Sequence, residues 1–331
     1  MMARAPRGFV LITVLVALVL LAVVAERLNA RVSAYRERQG GWQQVAEDES
    51  AIAAARDEVL FAMLTHQLSQ IGFGSGRRTL RVDGRPYRLP SGIMVSVQDS
   101  RGLISIAEPD PDMLQQFLRN HGVAARDLEP MVDKLQDYMD TDDLHRLNGA
   151  EADAYRRAGM PPPRNDWPVS PFELRLVLGW AERPSLWLRA SDVFTQVRDG
   201  YINPNTAGPE VLATLPGATP EGIRKLLEYR EKRVLTSAAD TLTVGGIQVV
   251  DDPVAFYAGR FYRLRIWRAD AQQAVELTVM LTPGAPKRPL LVMETRLVER
   301  PAAAAAESYI APFPLPIPAG RGSQTISAPA R

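Results

Sequence analysis

The sequence predicts an α+β protein whose sheet is interrupted by a large all-α insertion. Three observations carry that class: a long helical pattern near the N-terminus, period-two segments on both sides of the chain's middle, and about 130 residues of helical pattern between them. From Glu26 to Ile71, the apolar residues Val45, Ile52, Val59 and Met63 recur near helical spacing, and Leu60, Leu64, Leu68 and Ile71 widen the stripe. Glu47, Asp48, Arg56, Asp57 and Glu58 take the opposite face. Gly40-Gly41 marks a kink in this helix, and Gly72 and Gly74 end it. Segments 79–88 and 93–99 follow as strands, because Ile93, Val95 and Val97 alternate with Met94, Ser96 and Gln98 across a turn at Pro90-Ser91-Gly92.

Helical spacing returns near Asp110, through Met113-Leu114 and Phe117-Leu118, Met131 with Leu135 and Tyr138, Glu173 to Val177, and a last piece from Pro209 to Arg233. Strands are expected again from about Thr241, with Tyr262, Leu264 and Ile266 alternating against Arg263 and Arg265. Val275 to Leu281 and Leu291 to Val298 repeat that alternation. The predicted organisation is thus a leader at 1–8, an apolar span at 9–25, and one domain built from 26–102 and 237–300 with the helical domain 103–236 inserted in it. The Pro/Ala-rich segment 301–331 is expected to be a disordered or extended tail.

The chain has no cysteine, so it can hold neither a disulfide framework nor a thiolate metal site, and its formal charge of +1 argues against a polyanion-binding protein as a global property. Arg4 and Arg7 precede an unbroken apolar run from Phe9 to Ala25. At about 17 residues the run is at the lower end of what crosses a bilayer as a helix. The basic leader stays in the cytoplasm and the remainder is sent across. Three ways of using this segment are open: a secretory signal cut after Val23-Val24-Ala25, an uncut anchor, or a prepilin-type leader cut after Gly8. The abrupt start at Gly8-Phe9, the length of the run and the helical pattern beyond it favour the prepilin-type reading.

Two constellations could carry chemistry. The first is Asp137-Tyr138-Met139-Asp140-Thr141-Asp142-Asp143 with Asn148-Gly149-Ala150-Glu151-Ala152-Asp153. A hard cation such as calcium takes oxygen ligands of this kind. Asp140 and Glu151 stand at the spacing of an EF-hand's ends, but His145 replaces its obligatory glycine and Leu144 its fifth ligand, which excludes an EF-hand. A calcium site of another kind and a solvated acidic loop with capping aspartates both remain open. The second constellation, Asn203-Pro204-Asn205-Thr206-Ala207 followed by Leu215-Pro216-Gly217-Ala218-Thr219 and Ile223 to Arg230, reads as a helix-hairpin-helix (SAM-like) unit. Its DNA-binding form closes on a second glycine where Thr219 stands, and Lys225, Arg230, Lys232 and Arg233 are interleaved with Glu221, Glu228 and Glu231, so a packing module is the favoured reading. His66, His121 and His145 share no metal-ligand spacing, and no nucleophile elbow or phosphate-cradling loop occurs; no enzyme is expected.

The leader, the Asp-Tyr-Met-Asp-Thr-Asp-Asp segment, the Asn-Gly-Ala-Glu segment and Ile202-Asn203-Pro204-Asn205-Thr206-Ala207 occur together and in order. Together they resemble the minor pseudopilin K family of bacterial type II secretion systems, over nearly the whole chain up to Arg300. Gln98 to Ile104 also looks like that family's strand-end segment, with Ser105 where an asparagine is common.

The resemblance implies a pilin-like fold, a long N-terminal helix on an antiparallel sheet, with the α-domain inserted. It implies cleavage between Gly8 and Phe9 by the prepilin peptidase, methylation of Phe9, and a single-pass inner-membrane protein with its bulk in the periplasm. It implies a place at the tip of the pseudopilus with I- and J-type minor pseudopilins, above the major pseudopilin and the inner-membrane platform, with no nucleic acid. It also implies calcium at Asp140, Asp142, Asp143, Glu151 and Asp153. Thr13 fits such a place: most pilins carry a glutamate there to pair with the subunit ahead, and a carboxylate at that depth is costly when unpaired. The alternative is a membrane-anchored periplasmic DNA-binding protein using the hairpin unit.

Overall fold

In the computed structural model the described residues are Glu26, 46–249, 254–285, 287–301 and 310–316. Gly8, Phe9, Thr13 and the apolar run 9–25 lie outside them. Among the described residues no helix is long and apolar enough to cross a membrane. By contacts the chain divides into two units, Met1–Ala54 and Ala55–Arg331. The first is described only as helix, at Glu26 and over 46–54.

Helix α1 (46–65) carries its buried stripe on Ala55, Val59, Ala62 and Met63, at the helical spacing read from the sequence. It ends earlier than its apolar pattern suggests. Thr65 Oγ1 donates to Phe61 O at 2.7 Å, and beyond His66 the chain turns extended, with Leu68 bridging Phe73. The chain then folds into a small antiparallel hairpin, β1 (Gly72–Ser75) on β2 (Arg78–Arg81). The single strand expected at 79–88 is therefore two: β2 stays in the hairpin, and β3 (Asp83–Arg88) joins the main sheet.

Among the described residues the main sheet has six strands in the order β10-β3-β4-β7-β8-β9, where β4 is Met94–Asp99, β7 Phe261–Trp267, β8 Gln273–Leu281, β9 Leu290–Glu299 and β10 Ala311–Pro312. All pairs are antiparallel except β10 on β3. Strands β4 and β7 are neighbours, Met94 to Asp99 registering with Trp267 to Tyr262, although more than 160 residues separate them in the chain. That pairing closes the sheet across the insertion. The tail expected to be disordered is in part an edge strand: Ala311 and Pro312 register with Tyr87 and Arg88, and Leu315 is buried. Proline is tolerated there because an edge strand can spare an N–H.

The inserted part packs around one core running from Ile104 through Leu114, Leu135, Trp180, Phe194 and Leu226 to Ile247. Its helices are α2 (Pro111–Asn120), α3 (Ala125–Met139), α4 (Ala152–Arg157), α5 (Pro184–Trp187), α6 (Ala190–Val193), α7 (Pro209–Leu212), α8 (Pro220–Arg230) and α9 (Ala238–Gly245). Glu173 to Val177, expected as α-helix, is mainly a 3-10 segment, Pro171–Leu176. The strand expected from Thr241 is instead α9, which opens on a reciprocal capping box between Ser237 and Asp240 and closes on Gly246 in the left-handed region. The insertion accordingly extends past residue 236, since Leu235 and Ile247 belong to its core. Two short parallel strands, β5 (Ile104–Ser105) and β6 (Phe194–Thr195), pair its entry to its middle.

Helices α8 and α9 meet at a glycine pair. A Cβ on Gly222 would stand 2.0 Å from the Gly245 carbonyl oxygen, a backbone atom that cannot swing aside. Gly222→Ala should therefore cost about 1–3 kcal/mol by overpacking. Gly246→Ala meets nothing within 4 Å and carries only the left-handed backbone strain, so the smaller loss is expected there. Urea denaturation of both variants checks that order; equal losses would refute the close-approach account.

Candidate functional site

The acidic constellation forms at the C-terminal end of α3, where the chain leaves the helix at Asp140 and returns at Glu151, the N-cap of α4. Asp137, fully buried on α3, accepts from the Arg146 backbone N–H at 3.1 Å and from its guanidinium at 2.7 Å. Gly149 makes that approach feasible, since a Cβ there would lie 1.7 Å from Asp137 Oδ2. The same Arg146 Nη1 donates to Asp140 Oδ2 at 2.6 Å. Asp142 Oδ1 accepts from Leu144 N at 2.8 Å, and Asp143 Oδ1 from Asn165 Nδ2 at 3.4 Å.

These bonds leave an excess of acceptors. Both carboxylate oxygens of Glu151, Oδ1 of Asp140 and Oδ1 of Asn165 are buried without a hydrogen-bond donor. Burial, then the charges of Asp137, Asp140, Asp143 and Asp142, push the Glu151 carboxyl up to about 7. A buried carboxylate without a donor is costly, and oxygen-only donors at one place are what a hard cation takes. The residues present therefore fit calcium in kind. Among the described residues, no three carboxylate or imidazole side chains stand ready in a ligating group, and Arg146 holds Asp140. Of the five residues expected as ligands, Asp140, Asp142 and Asp143 lie near enough for their charges to act on Glu151, without forming a ligating group. Asp153 is paired with Arg156 at 2.7 Å on the surface. Asp137 and Asn165 belong to the constellation although neither was among the expected ligands. Asp137 was legible as part of the acidic run; Asn165 lies more than 20 residues on and only the fold brings it back.

The Asn203–Ala207 segment turns out to be a buried joint between the sheet and the insertion. Asp99, the last residue of β4 and fully buried, accepts from Asn203 Nδ2 at 3.2 Å, Thr206 Oγ1 at 2.9 Å, Gly259 N at 3.1 Å and Arg101 N at 3.2 Å. Asn205 binds Leu235 through both ends of its amide, at 2.9 Å each, and donates to Phe256 O. These two asparagines and one threonine thus tie together β4, the chain after α8 and the approach to β7.

Two of the four cations considered for phosphate contact are engaged within the protein. Arg230 is 5% exposed and donates to Ala207 O, and Lys225 pairs with Glu221. Thr219 caps α8, accepting from Gly222 N at 3.1 Å. That arrangement is a packed helical turn.

Residues 95–189 match the family model described as type II secretion system protein K. A search of curated proteins finds no match. The fold is similar to that of a chain from the crystal structure of the GspK–GspI–GspJ complex of the enterotoxigenic Escherichia coli type 2 secretion system. The likeness has a TM-score of 0.55 at 18% identity, over 82% of this chain and all of that one.

Proposed function

We infer that this chain is a K-type minor pseudopilin of a type II secretion system, a structural subunit rather than an enzyme, and from that premise we propose that it stands at the tip of the pseudopilus and starts its assembly. The observation that carries the reading is the match to protein K over 95–189, which falls on β4 and the first half of the insertion. The α1 helix followed by an antiparallel sheet agrees with a pilin-like subunit, and the bulk of the insertion would crowd any subunit stacked above it. The similar chain comes from a complex with GspI and GspJ, which supports I- and J-type minor pseudopilins as partners. The same premise places the major pseudopilin and the inner-membrane platform below, the prepilin peptidase at the Gly8–Phe9 bond, and the neutral Thr13 at the top of the stack. The engaged state of Lys225 and Arg230 counts against the DNA-binding alternative.

Two measurements test this. Mass spectrometry of the mature protein should find a methylated Phe9 as its first residue, whereas a start at Glu26 would sink the pseudopilin reading. Co-expression with I- and J-type minor pseudopilins should yield a ternary complex. Salt-dependent DNA binding in its absence would favour the alternative.

We also propose that Glu151, Asp140, Asp142 and Asp143 hold calcium, with Asp137 behind them and Asn165 as a neutral oxygen donor. The cation would supply the positive charge that Glu151 lacks and pin the 140–151 loop to α4. Calcium at a hundredfold excess over its dissociation constant should raise stability by about 2.7 kcal/mol, and EDTA should reverse it. Glu151→Gln should abolish the calcium-dependent shift in melting temperature. A melting curve indifferent to calcium and EDTA in the unaltered protein would end the idea.

A further inference from the structure

A groove of about 1130 Å³ opens between the β1–β2 hairpin, the C-terminal end of α8 and the tail segment at β10. Arg77, Arg81, Arg85, Arg230, Lys232 and Arg233 line it, with Glu231 as the acidic residue among the lining side chains. Behind the wall one carboxylate, Asp83, is shared by three guanidiniums: Arg81 at 3.3 Å, Arg85 at 2.8 Å and Arg230 at 3.7 Å. Glu231 is engaged by Arg85 at 2.5 Å. Six cations thus face two carboxylates.

The excess is not confined to solvated side chains. Arg81 Nη2 and Arg230 Nε are buried and have no acceptor, and Arg230 as a whole is 5% exposed. Both guanidiniums are paired with Asp83 and lie out of a ligand's reach, so they add to the positive charge of the wall, while Arg77, Lys232 and Arg233 are the exposed cations that a ligand can meet. Burial and the neighbouring Arg81 and Arg85 charges pull the Arg230 guanidinium down to about 10, in the same sense.

The shape says what kind of anion. The volume far exceeds the needs of a single phosphate or acetate. Its wall already accepts extended polypeptide: Ala311 and Pro312 register with Tyr87 and Arg88, Phe313 N donates to Arg88 O at 2.9 Å, and the Phe313 ring stands edge-on to Tyr87. Strand β10 covers only those two residues of β3, so the β3 edge before Tyr87 has no strand neighbour among the described residues. Carboxylates on an extended chain suit a guanidinium wall, because each can accept two parallel N–H bonds.

We propose that this groove is a docking site for an extended acidic segment of a partner protein, seated with its carboxylates against the exposed Arg77, Lys232 and Arg233. The site is distinct from the acidic constellation and stands whether or not the tip assignment does.

The test uses the full chain in detergent micelles and a fluorescein-labelled peptide alternating glutamate and valine, read by anisotropy. Its glutamine-for-glutamate counterpart should bind at least about tenfold more weakly. Affinity for the glutamate peptide should fall with salt. Lys232→Glu and Arg77→Glu sit on the exposed rim, where folding is not at stake, and each should weaken that peptide about tenfold. Equal affinity for the two peptides, no binding of either, or full affinity in the rim variants would overturn the proposal. Inorganic phosphate binding as tightly as the glutamate peptide would overturn it too, in favour of a small-anion site.

Discussion

Replacing Glu276 with glutamine should destabilise the protein by about 3–5 kcal/mol, the scale of a buried charge cluster that loses its counter-ion. Glu276 is 1% exposed in the middle of β8. It accepts from Arg265 Nε at 2.6 Å, is bonded by the Arg296 guanidinium from β9, and has Arg263 Nε at 3.7 Å. The cluster also fastens the sheet to the insertion. Arg265 reaches Asp192 on α6 at 2.5 Å and Ser191 O at 2.9 Å, and Arg296 donates to Ser170 Oγ at 2.7 Å. The neutral amide leaves Arg263, Arg265 and Arg296 together without the carboxylate they share. The urea midpoint should fall with the denaturant slope unchanged. Glu228→Gln, which removes an exposed partner of Arg224, should leave the midpoint where it was. Similar losses in the two variants would refute the account.

Asp99→Ala should cost about 3 kcal/mol or more, because four donors buried around one carboxylate lose their acceptor together. Asp99 also gives the protein an unusual pH dependence. Burial outweighs the four hydrogen bonds and pushes its carboxyl up to about 6. The unfolded chain releases that proton near pH 4, so between about pH 4 and 6 the native state binds a proton that the unfolded state does not. This group's contribution therefore improves as the pH is lowered from 7 towards 4, by about 2–3 kcal/mol. Asp83, Asp192 and Glu276 act in the opposite sense, since neighbouring arginines hold each below its ordinary value despite burial. Their contribution is present above about pH 4 and is lost as they protonate in acid. Stability measured by urea titration should accordingly rise from pH 7 to about pH 4.5 and then collapse. In Asp99→Asn the rise should shrink by that share and the collapse remain, the residual rise coming from Glu151, whose carboxyl is also raised. A rise undiminished by the substitution would show that Asp99 is not responsible.

Much of the fold was legible because burial imposes periodicity. The helical stripe of α1 and the helices α2 and α3 follow from one face being dry, whereas β4 and β7 are buried on both faces and their alternating polar residues, such as Gln98 and Arg265, are bonded inside the fold. Reading failed where a local device overrode the pattern. Leu68 and Ile71 continue the α1 stripe in sequence but belong to the turn into β1, and Thr241 lies in a helix set by the Ser237–Asp240 capping box. The edge strand at 311–312 escaped notice because alternating prolines in a low-complexity tail give no strand signal; only the exposed edge of β3 makes that segment a strand.

The sequence by itself determined the class of the protein: an apolar segment behind basic residues, strands on either side of a helical block, and an acidic run whose carboxylates could not all remain uncompensated. Those properties are local, set by hydropathy, spacing and charge along the chain. Only the tertiary structure decided which charges matter. It placed Asp99 under hydrogen bonds from Asn203 and Thr206, more than 100 positions away, buried Arg230 where a solvent-facing phosphate ligand had been considered, and gathered Glu276 with three arginines. Burial depends on what the rest of the chain brings to a residue, and burial sets both the cost of a charge and its need for a partner.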